Sequence, residues 1–375
     1  MAATLKLGDR KWATKEGSLL AYNDENNNYK PLPFDFTRAS SATRVNKQGL
    51  IETVASGVPR IDFTDANGAL LLEPQRTNLF TYSEDFSDAS WLKNQATVAI
   101  TSDIAPDGTT NSVYNYVGNN SNLYTISQAA GVEYTISFYV KSNGQGADGF
   151  KFRLGNGYSA SLSATSEWVR HTFTATPATS VFSIASDGVN DVNILVYGAQ
   201  LELGYATSYI PTQGSAVTRI AEVCNNAGND QVINSAEGVL YAEIAALAAD
   251  GTNRYLSISD GSFTNRVSMY YSSSANIIGA RIVVGGSSIF LNAAGQTQYN
   301  NNKIAVKWKL NDYKLYINGV QVAANISGGT FTSSTLSEIS FNDGGTGIAY
   351  MYGNVKDLQV FNTALTDAEL IALTT

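Results

Sequence analysis

Apolar and β-forming side chains alternate with polar ones, or pack together, in YTISFYVKS (Tyr134 to Ser142), FKFRLG (Phe150 to Gly155), WVRHTFTAT (Trp168 to Thr176) and VNILVYGAQLEL (Val192 to Leu203). A period of two sends every second side chain to the same face, so each stretch predicts a strand. Gly- and Asn-rich clusters such as SNGQGADG (Ser142 to Gly149) separate them. Strands at this spacing predict a β-sandwich over residues 76–210.

A second β-domain is expected over 237–375. In KLYINGVQV (Lys314 to Val322) the apolar Leu315, Ile317, Val320 and Val322 flank Asn318-Gly319, the dipeptide of a type I′ hairpin turn. LTDAELIAL predicts the only clear helix, with Thr366 as N-cap, Glu369 completing a capping box, and Leu370 and Leu373 facing the sandwich. Residues 1–75 lack such periodicity. NDENNNYK (Asn23 to Lys30), Pro31 and Pro33 interrupt them, and the segment reads as an extended arm for attachment or oligomerisation. Residues 211–236, with Pro211 and NNAGND (Asn225 to Asp230), read as a linker. The expected fold class is therefore all-β: an extended N-terminal anchor followed by two jelly-roll-like β-sandwiches.

Charge narrows the partners. The formal net charge is -8, with Lys and Arg numbering 24 against 32 Asp and Glu, so the molecule as a whole has no attraction for nucleic acid. No stretch approaches the ~20 apolar residues of a membrane helix, and no membrane insertion is expected. The start, MAATLKLGDRKWATKEGSLLAY, lacks the apolar run of a secretory signal, which predicts synthesis in a cytoplasm without export by that route. A single cysteine, Cys224, excludes an intrachain disulfide and a cysteine-based zinc site.

Against this acidic background TRASSATRVNKQGL (Thr37 to Leu50) groups Arg38, Arg44 and Lys47 with no carboxylate among them. Phosphate binding, steering of an anionic partner and an extended interface strand all fit it. Candidate catalytic groups are few. The one histidine, His171, lies mid-strand and reads as structural, and Glu84, Asp85 and Asp187 read as ordinary turn or surface carboxylates. No catalytic site and no enzyme activity are expected. DFTDANG (Asp62 to Gly68) fails as a calcium loop, because setting Gly68 sixth puts Phe63 first and Pro74 twelfth. FNDGGTG (Phe341 to Gly347) reads as a Gly-rich turn, with calcium as the alternative. No metal site is assigned and no cofactor is expected, calcium apart. Trp91, Trp168 and Trp308 read as core, whereas Tyr114, Tyr116, Tyr124, Tyr270 and Tyr271 are candidates for sugar stacking. One of the adjacent pair Tyr270-Tyr271 is expected to be exposed, and exposed tyrosines suit oligomer interfaces equally well.

Three stretches carry a resemblance: FTRASSATRVNKQGLIETVASGVPRIDF (Phe36 to Phe63), LLLEPQRTNLFTYSEDFSDASW (Leu70 to Trp91) and GAQLELGYATSYIPTQGSAVTR (Gly198 to Arg219). They resemble a signature of tailed-bacteriophage fibre and spike proteins. There the region between the second and third stretches is similar to jelly-roll carbohydrate-binding modules. The C-terminal part, with KLYINGVQV and YGNVKDLQVFNTALTDAEL (Tyr352 to Leu370), resembles laminin-G-like or concanavalin-A-like sandwiches. The resemblance implies a head or tail fibre on a virion, made in the host bacterium. It implies copies of itself as partners, a trimer being common in phage fibres, together with other virion proteins and host-surface glycan. Arg38, Arg44 and Lys47 would then belong to a connector, with the arginines pairing carboxylates within or between subunits. A glycan depolymerase and a purely structural decoration protein are the alternatives.

Overall fold

The computed structural model describes residues 1–375 without residues 1, 10, 16–17, 24–26, 30–32, 127–129, 189–190, 275 and 346. The break expected from Asn23 to Pro31 lies partly outside the described residues. The chain is all-β, with one α-helix, Asp367–Thr374, among the described residues. It divides into two compact units. A central unit holds Ser40–Thr53 and Gln75–Ile220, and a terminal unit holds Met1–Ala39, Val54–Pro74 and Ala221–Thr375.

The central unit wraps a nine-stranded antiparallel arrangement around a main core, with a smaller apolar cluster around Val113, Leu195 and Tyr197. Its organising element is the 13-residue strand Tyr114–Ile126. The first half of this strand pairs with Val192–Leu203, whereas the second half pairs with Val181–Ser186. One strand thereby serves both layers of a jelly roll. The change of partner falls at Gly118, where a β-carbon would sit 2.4 Å from the Gln95 carbonyl oxygen and 2.5 Å from Ser121 Oγ. Only glycine allows the approach. Phe138, Phe150, Phe152, Phe182, Trp91 and Tyr116 fill the interior, the apolar half of the alternation.

The terminal unit is a sandwich. A ten-stranded sheet has Gly353–Phe361 between Glu237–Ala246 and Leu5–Gly8. It faces a five-stranded sheet ordered Ser287–Ala294, Ile277–Val284, Arg266–Tyr271, Arg254–Ser259 and Glu338–Ser340. One apolar core draws on both sheets. The hairpin predicted at Asn318-Gly319 is present, with φ 50° and 82° at those residues and Ile317 opposite Val320. Gly319→Val forces a β-branched side chain into positive φ and is expected to cost on the order of 1–2 kcal/mol, read as a lower thermal midpoint of the terminal unit. The helix begins at the predicted capping box on Thr366 and Glu369, and it buries Leu370.

Residues 1–75, expected as an arm, instead supply strands to the folded units. Leu5–Gly8 pairs with Gly353–Phe361 in the register Leu5 opposite Val360, and Ala69–Leu72 pairs with the same strand. Ala42–Val45 and Ile51–Val54 form a hairpin. Residues 211–236, expected as a linker, hold Val217–Arg219, paired with Arg76–Asn78, and Val223–Asn225, paired with Asp35–Thr37. These strands are two to four residues long, too short for a period to show, and their partners are distant in sequence.

Asp357 is the least comfortable carboxylate of the terminal unit. It lies opposite Gly8 and Glu243, and its Oδ1 has no hydrogen-bond partner. Burial pushes its pKa up to about 6, with the charges of Asp9 and Glu243 adding to the rise and Gln359 and Lys6 opposing it. A carboxyl raised in the folded state binds more protons folded than unfolded, so stability is lost as pH climbs from about 4 through 6. Asp357→Asn is therefore expected to raise the melting temperature at pH 7.5, by up to about 3 kcal/mol of stability. Below pH 5 the gain should shrink towards zero; a gain independent of pH would contradict the assignment.

Candidate functional site

In the central unit, Thr81 to Trp91 (TYSEDFSDASW) forms a loop held down by its aromatic residues. Phe80, Phe86 and Trp91 are buried, with Phe80 and Trp91 ring centres 4.9 Å apart and Phe86 and Trp91 5.2 Å apart. Trp91 Nε1 donates to the Tyr82 carbonyl at 2.8 Å. With these anchors inside, Glu84 and Asp85 between them are left half-exposed, while Ser83 is buried. Residues 81–83 also run against 212–214: Ser83 N donates to the Thr212 carbonyl, and Gly214 N to that of Thr81. This pairing brings Pro211, Thr212 and Gln213 to the loop.

The result is a pocket of about 460 Å³ lined by Tyr82, Glu84, Asp85, Asn111, Ser112, Tyr114, Pro211, Thr212 and Gln213. Its wall is built from carboxylates and phenols. Tyr114 Oη donates to Asp85 Oδ1 at 2.8 Å, and Ser87 donates to the same oxygen through its N–H and its hydroxyl. These bonds, the Ser87 hydroxyl first, hold the Asp85 carboxyl below its ordinary range despite partial burial. Asp85 is thus an ionised acceptor at neutral pH. It is not poised to protonate a leaving group.

Behind Glu84 lies a tyrosine pair. Tyr197 and Tyr209 both reach Glu84 Oε1, at 3.0 and 2.8 Å, and Tyr197 Oη also lies 3.1 Å from Asp107 Oδ2. A phenol has one proton, so Tyr197 cannot serve Glu84 and Asp107 at once. Burial and then the charges of Glu84 and Asp107 push the Tyr197 phenol far above its ordinary pKa, and burial with Glu84 does the same to Tyr209. Glu84 Oε2 has no hydrogen-bond partner among the described residues. The pocket therefore offers negative acceptors, the exposed amides of Asn111 and Gln213, and tyrosine rings. That set matches the hydroxyls and C–H faces of a neutral sugar.

Of the tyrosines singled out from sequence, Tyr114 lines this pocket. Tyr116 does not: it is fully buried, with its Oη 2.7 Å from Ser121 Oγ, and cannot stack on a sugar. Tyr124 lies beyond the kink near Gly118 and Asn120, half-buried and outside the pocket lining. The expectation that Tyr270 or Tyr271 is exposed fails. Tyr271 is fully buried and donates to the Ile244 carbonyl at 2.8 Å, while Tyr270 points to the outer face yet stacks on Tyr255 and is only 8% exposed.

Arg38 and Arg44 each meet a carboxylate of their own chain. Arg44 pairs with Glu52 across the hairpin, and Lys47 sits exposed at its tip. Arg38 is buried and pairs with Glu222 at 2.7 Å. Glu222 also bonds Arg60, whose Nη2 meets Glu73 at 2.8 Å. This quartet lies wholly inside the terminal unit. Burial opposes the charge on Arg60, but Glu73 and Glu222 overcome it and raise its pKa further. His171 packs edge-on against Phe150, and burial lowers its pKa. In FNDGGTG the side chains of Asn342 and Asp343 accept the N–H groups of Gly344 and Gly345, as in an ordinary glycine turn. Among the described residues no group of three or more His, Cys, Asp and Glu side chains is placed to hold a metal ion.

Sequence reasoning read Glu84 and Asp85 as ordinary turn or surface carboxylates and missed Tyr197 and Tyr209 behind Glu84. The local signal was present as the spacing of Phe80, Phe86 and Trp91, which leaves Glu84 and Asp85 between them part-exposed.

No family model and no curated protein matches the sequence. Solved structures are similar. A carbohydrate-binding module of a Ruminococcus gnavus sialidase, bound to α2,3-sialyllactose, aligns at 18% identity over 40% of this chain and 94% of its own, with a TM-score of 0.34. A pentraxin from Limulus polyphemus aligns at 15% identity over 40% of this chain and 74% of its own, TM-score 0.32. Domains LG4-5 of the mouse laminin α1 chain align at 8% identity over 77% of this chain and 91% of its own, TM-score 0.28.

Proposed function

We propose that this chain is a glycan-binding protein of a bacteriophage fibre, in which the central-unit pocket receives a neutral sugar without cleaving it. The observation that carries the binding reading is the pocket wall: the ionised Asp85, Glu84 with an unengaged oxygen, two amides and the rings of Tyr82 and Tyr114 around about 460 Å³. Carboxylate oxygens accept from vicinal hydroxyls, while tyrosine offers a flat apolar surface to the ring. The phage assignment rests on the three sequence stretches that resemble fibre and spike proteins. It brings with it a virion location, assembly with copies of itself and with other virion proteins, and weak single sites made strong by multivalency.

The test is a screen of the whole chain against a glycan array, with and without calcium, followed by a chain-length assay on every polysaccharide that binds. Selective binding without shortening supports the reading. Shortening would make the protein a depolymerase, and absence of binding would leave a structural decoration protein.

A further inference from the structure

The outer face of the five-stranded sheet carries two arginines among aromatic and small residues. The register sets its side chains in rows. Tyr255, Tyr270, Gly279 and Asn292 lie across four neighbouring strands, and Ser257, Ser268, Arg281 and Phe290 form the next row. Tyr270 lies across Gly279, where a β-carbon would be 2.6 Å from its ring, and its hydroxyl bonds Asn292 Oδ1. The floor of serine and glycine beneath these rings is itself buried at Ser257 and Ser268, where Ser257 Oγ donates to the Asn342 carbonyl and Gly344 packs close, and the face opens to solvent at Arg281, Phe290 and Asn292.

Arg266 and Arg281 project from this floor. Arg266 is opposite Val283 and Arg281 opposite Ser268, which makes the two arginines diagonal neighbours about 7–8 Å apart. Neither has an ion pair among the described residues. Arg266 is 3% exposed; it donates one hydrogen bond, to the Asp343 carbonyl, its Nε has no partner, and its guanidinium lies over Phe263 and Tyr255. Arg281 is half-buried, lies over Phe290 at 5.0 Å and donates to Ser288 Oγ, at 3.1 and 3.4 Å. Burial and then the charge of Arg281 disfavour the Arg266 cation, and the buried Asp343, whose carboxylate also accepts from Gly345 N, favours it.

The same unit shows what it does with arginines that serve the fold. Arg38 and Arg60 meet Glu222 and Glu73 at 2.5–2.8 Å, and Arg254 meets Asp250 at 2.8 Å. Arg281 has no carboxylate partner among the described residues, and Arg266 has the charge of Asp343 set against burial and Arg281, so an added negative charge at this face is favoured. Phe290, 54% exposed, adds an apolar platform beside Arg281, and Asn292 adds an exposed amide whose nitrogen is free to donate.

We propose that this face is a second binding site, for a pyranose sugar carrying a carboxylate, a hexuronate. Arg281 meets the carboxylate in a charge-assisted contact and Arg266 behind it adds a second positive charge. Phe290 takes the ring face and Asn292 bonds a hydroxyl. The pocket of the central unit, with its own carboxylates, has the opposite preference, so the two sites sort neutral from acidic sugar.

The experiment titrates the full chain with tetrasaccharides of galacturonate, glucuronate and mannuronate, and with their methyl esters, by calorimetry. At least one free acid should bind. Its affinity should fall at least tenfold on esterification and in Arg281→Gln, at least threefold in Phe290→Ala, and not at all in Tyr114→Ala. Both altered residues of the site are partly exposed, so these variants keep the fold, which unchanged melting confirms. No binding of any of the three acids, equal binding of acid and ester, or a loss in Tyr114→Ala that Arg281→Gln does not share would each overturn the proposal. None of these results bears on neutral-sugar binding at the pocket, which is measured separately.

Discussion

Glu222→Gln is expected to lower the stability of the terminal unit by about 3–5 kcal/mol, a fall on the order of 10 °C in its melting temperature. Glu222 accepts from Arg38 at 2.7 Å, from Arg60 at 2.8 and 2.5 Å, and from the Glu73 N–H at 2.9 Å. Neutralising it leaves two buried guanidinium groups against one carboxylate, Glu73, which meets Arg60, and the new amide turns N–H groups towards donors. A buried charge stripped of its partner costs far more than the intact pair contributes. Glu52→Gln is the control. It breaks the partly exposed pair with Arg44, so its effect should stay within about 1 kcal/mol. Comparable shifts in the two variants would show that the quartet is not a buried network.

The second large effect concerns sugar binding. Once a neutral glycan is found to bind, Asp85→Ala is expected to weaken it at least tenfold, and Tyr114→Ala by a similar factor. Removing Asp85 takes away an ionised acceptor and also frees the Tyr114 hydroxyl, which is fixed on Asp85 Oδ1 at 2.8 Å. The effects should be less than additive, because each residue positions the other. Tyr124→Ala, outside the pocket lining, should leave binding unchanged. Loss of affinity in Tyr124→Ala with none in Asp85→Ala would move the site elsewhere.

The parts of the molecule that rest on near neighbours were legible in the sequence. Alternation marked the strands Tyr134–Ser142 and Gly149–Leu154, Asn318-Gly319 marked its turn, and Thr366 with Glu369 marked the helix start. Interactions between distant residues were not. Arg38 is conspicuous in sequence because no carboxylate lies near it, yet its partner Glu222 is 184 positions away. Alternation tells which residues share a face but not what covers that face, which is why one of Tyr270 and Tyr271 was expected to be open. In Tyr114–Ile126 the kink near Gly118 moves Leu123 to the core side and Tyr124 out of it, a shift of parity that a strict period of two cannot register. The pocket combines a local loop with Asn111 and Gln213, delivered by separate segments.

The pairing of Leu5–Gly8 with Gly353–Phe361 also sets an order of events on the ribosome. Thr4 bonds the carbonyl of Val360, 356 positions later. At about 5–20 residues per second, roughly 20–70 s separate the emergence of the two strands. The whole central unit is translated in that interval and can close first. The terminal unit must hold its earliest strand in waiting, a long-range closure of the kind that makes folding slow. A nascent chain stalled before Gly353 would lack the strand between Glu237–Ala246 and Leu5–Gly8. Both would then present bare edges, open to pairing with a neighbouring nascent chain on the same message.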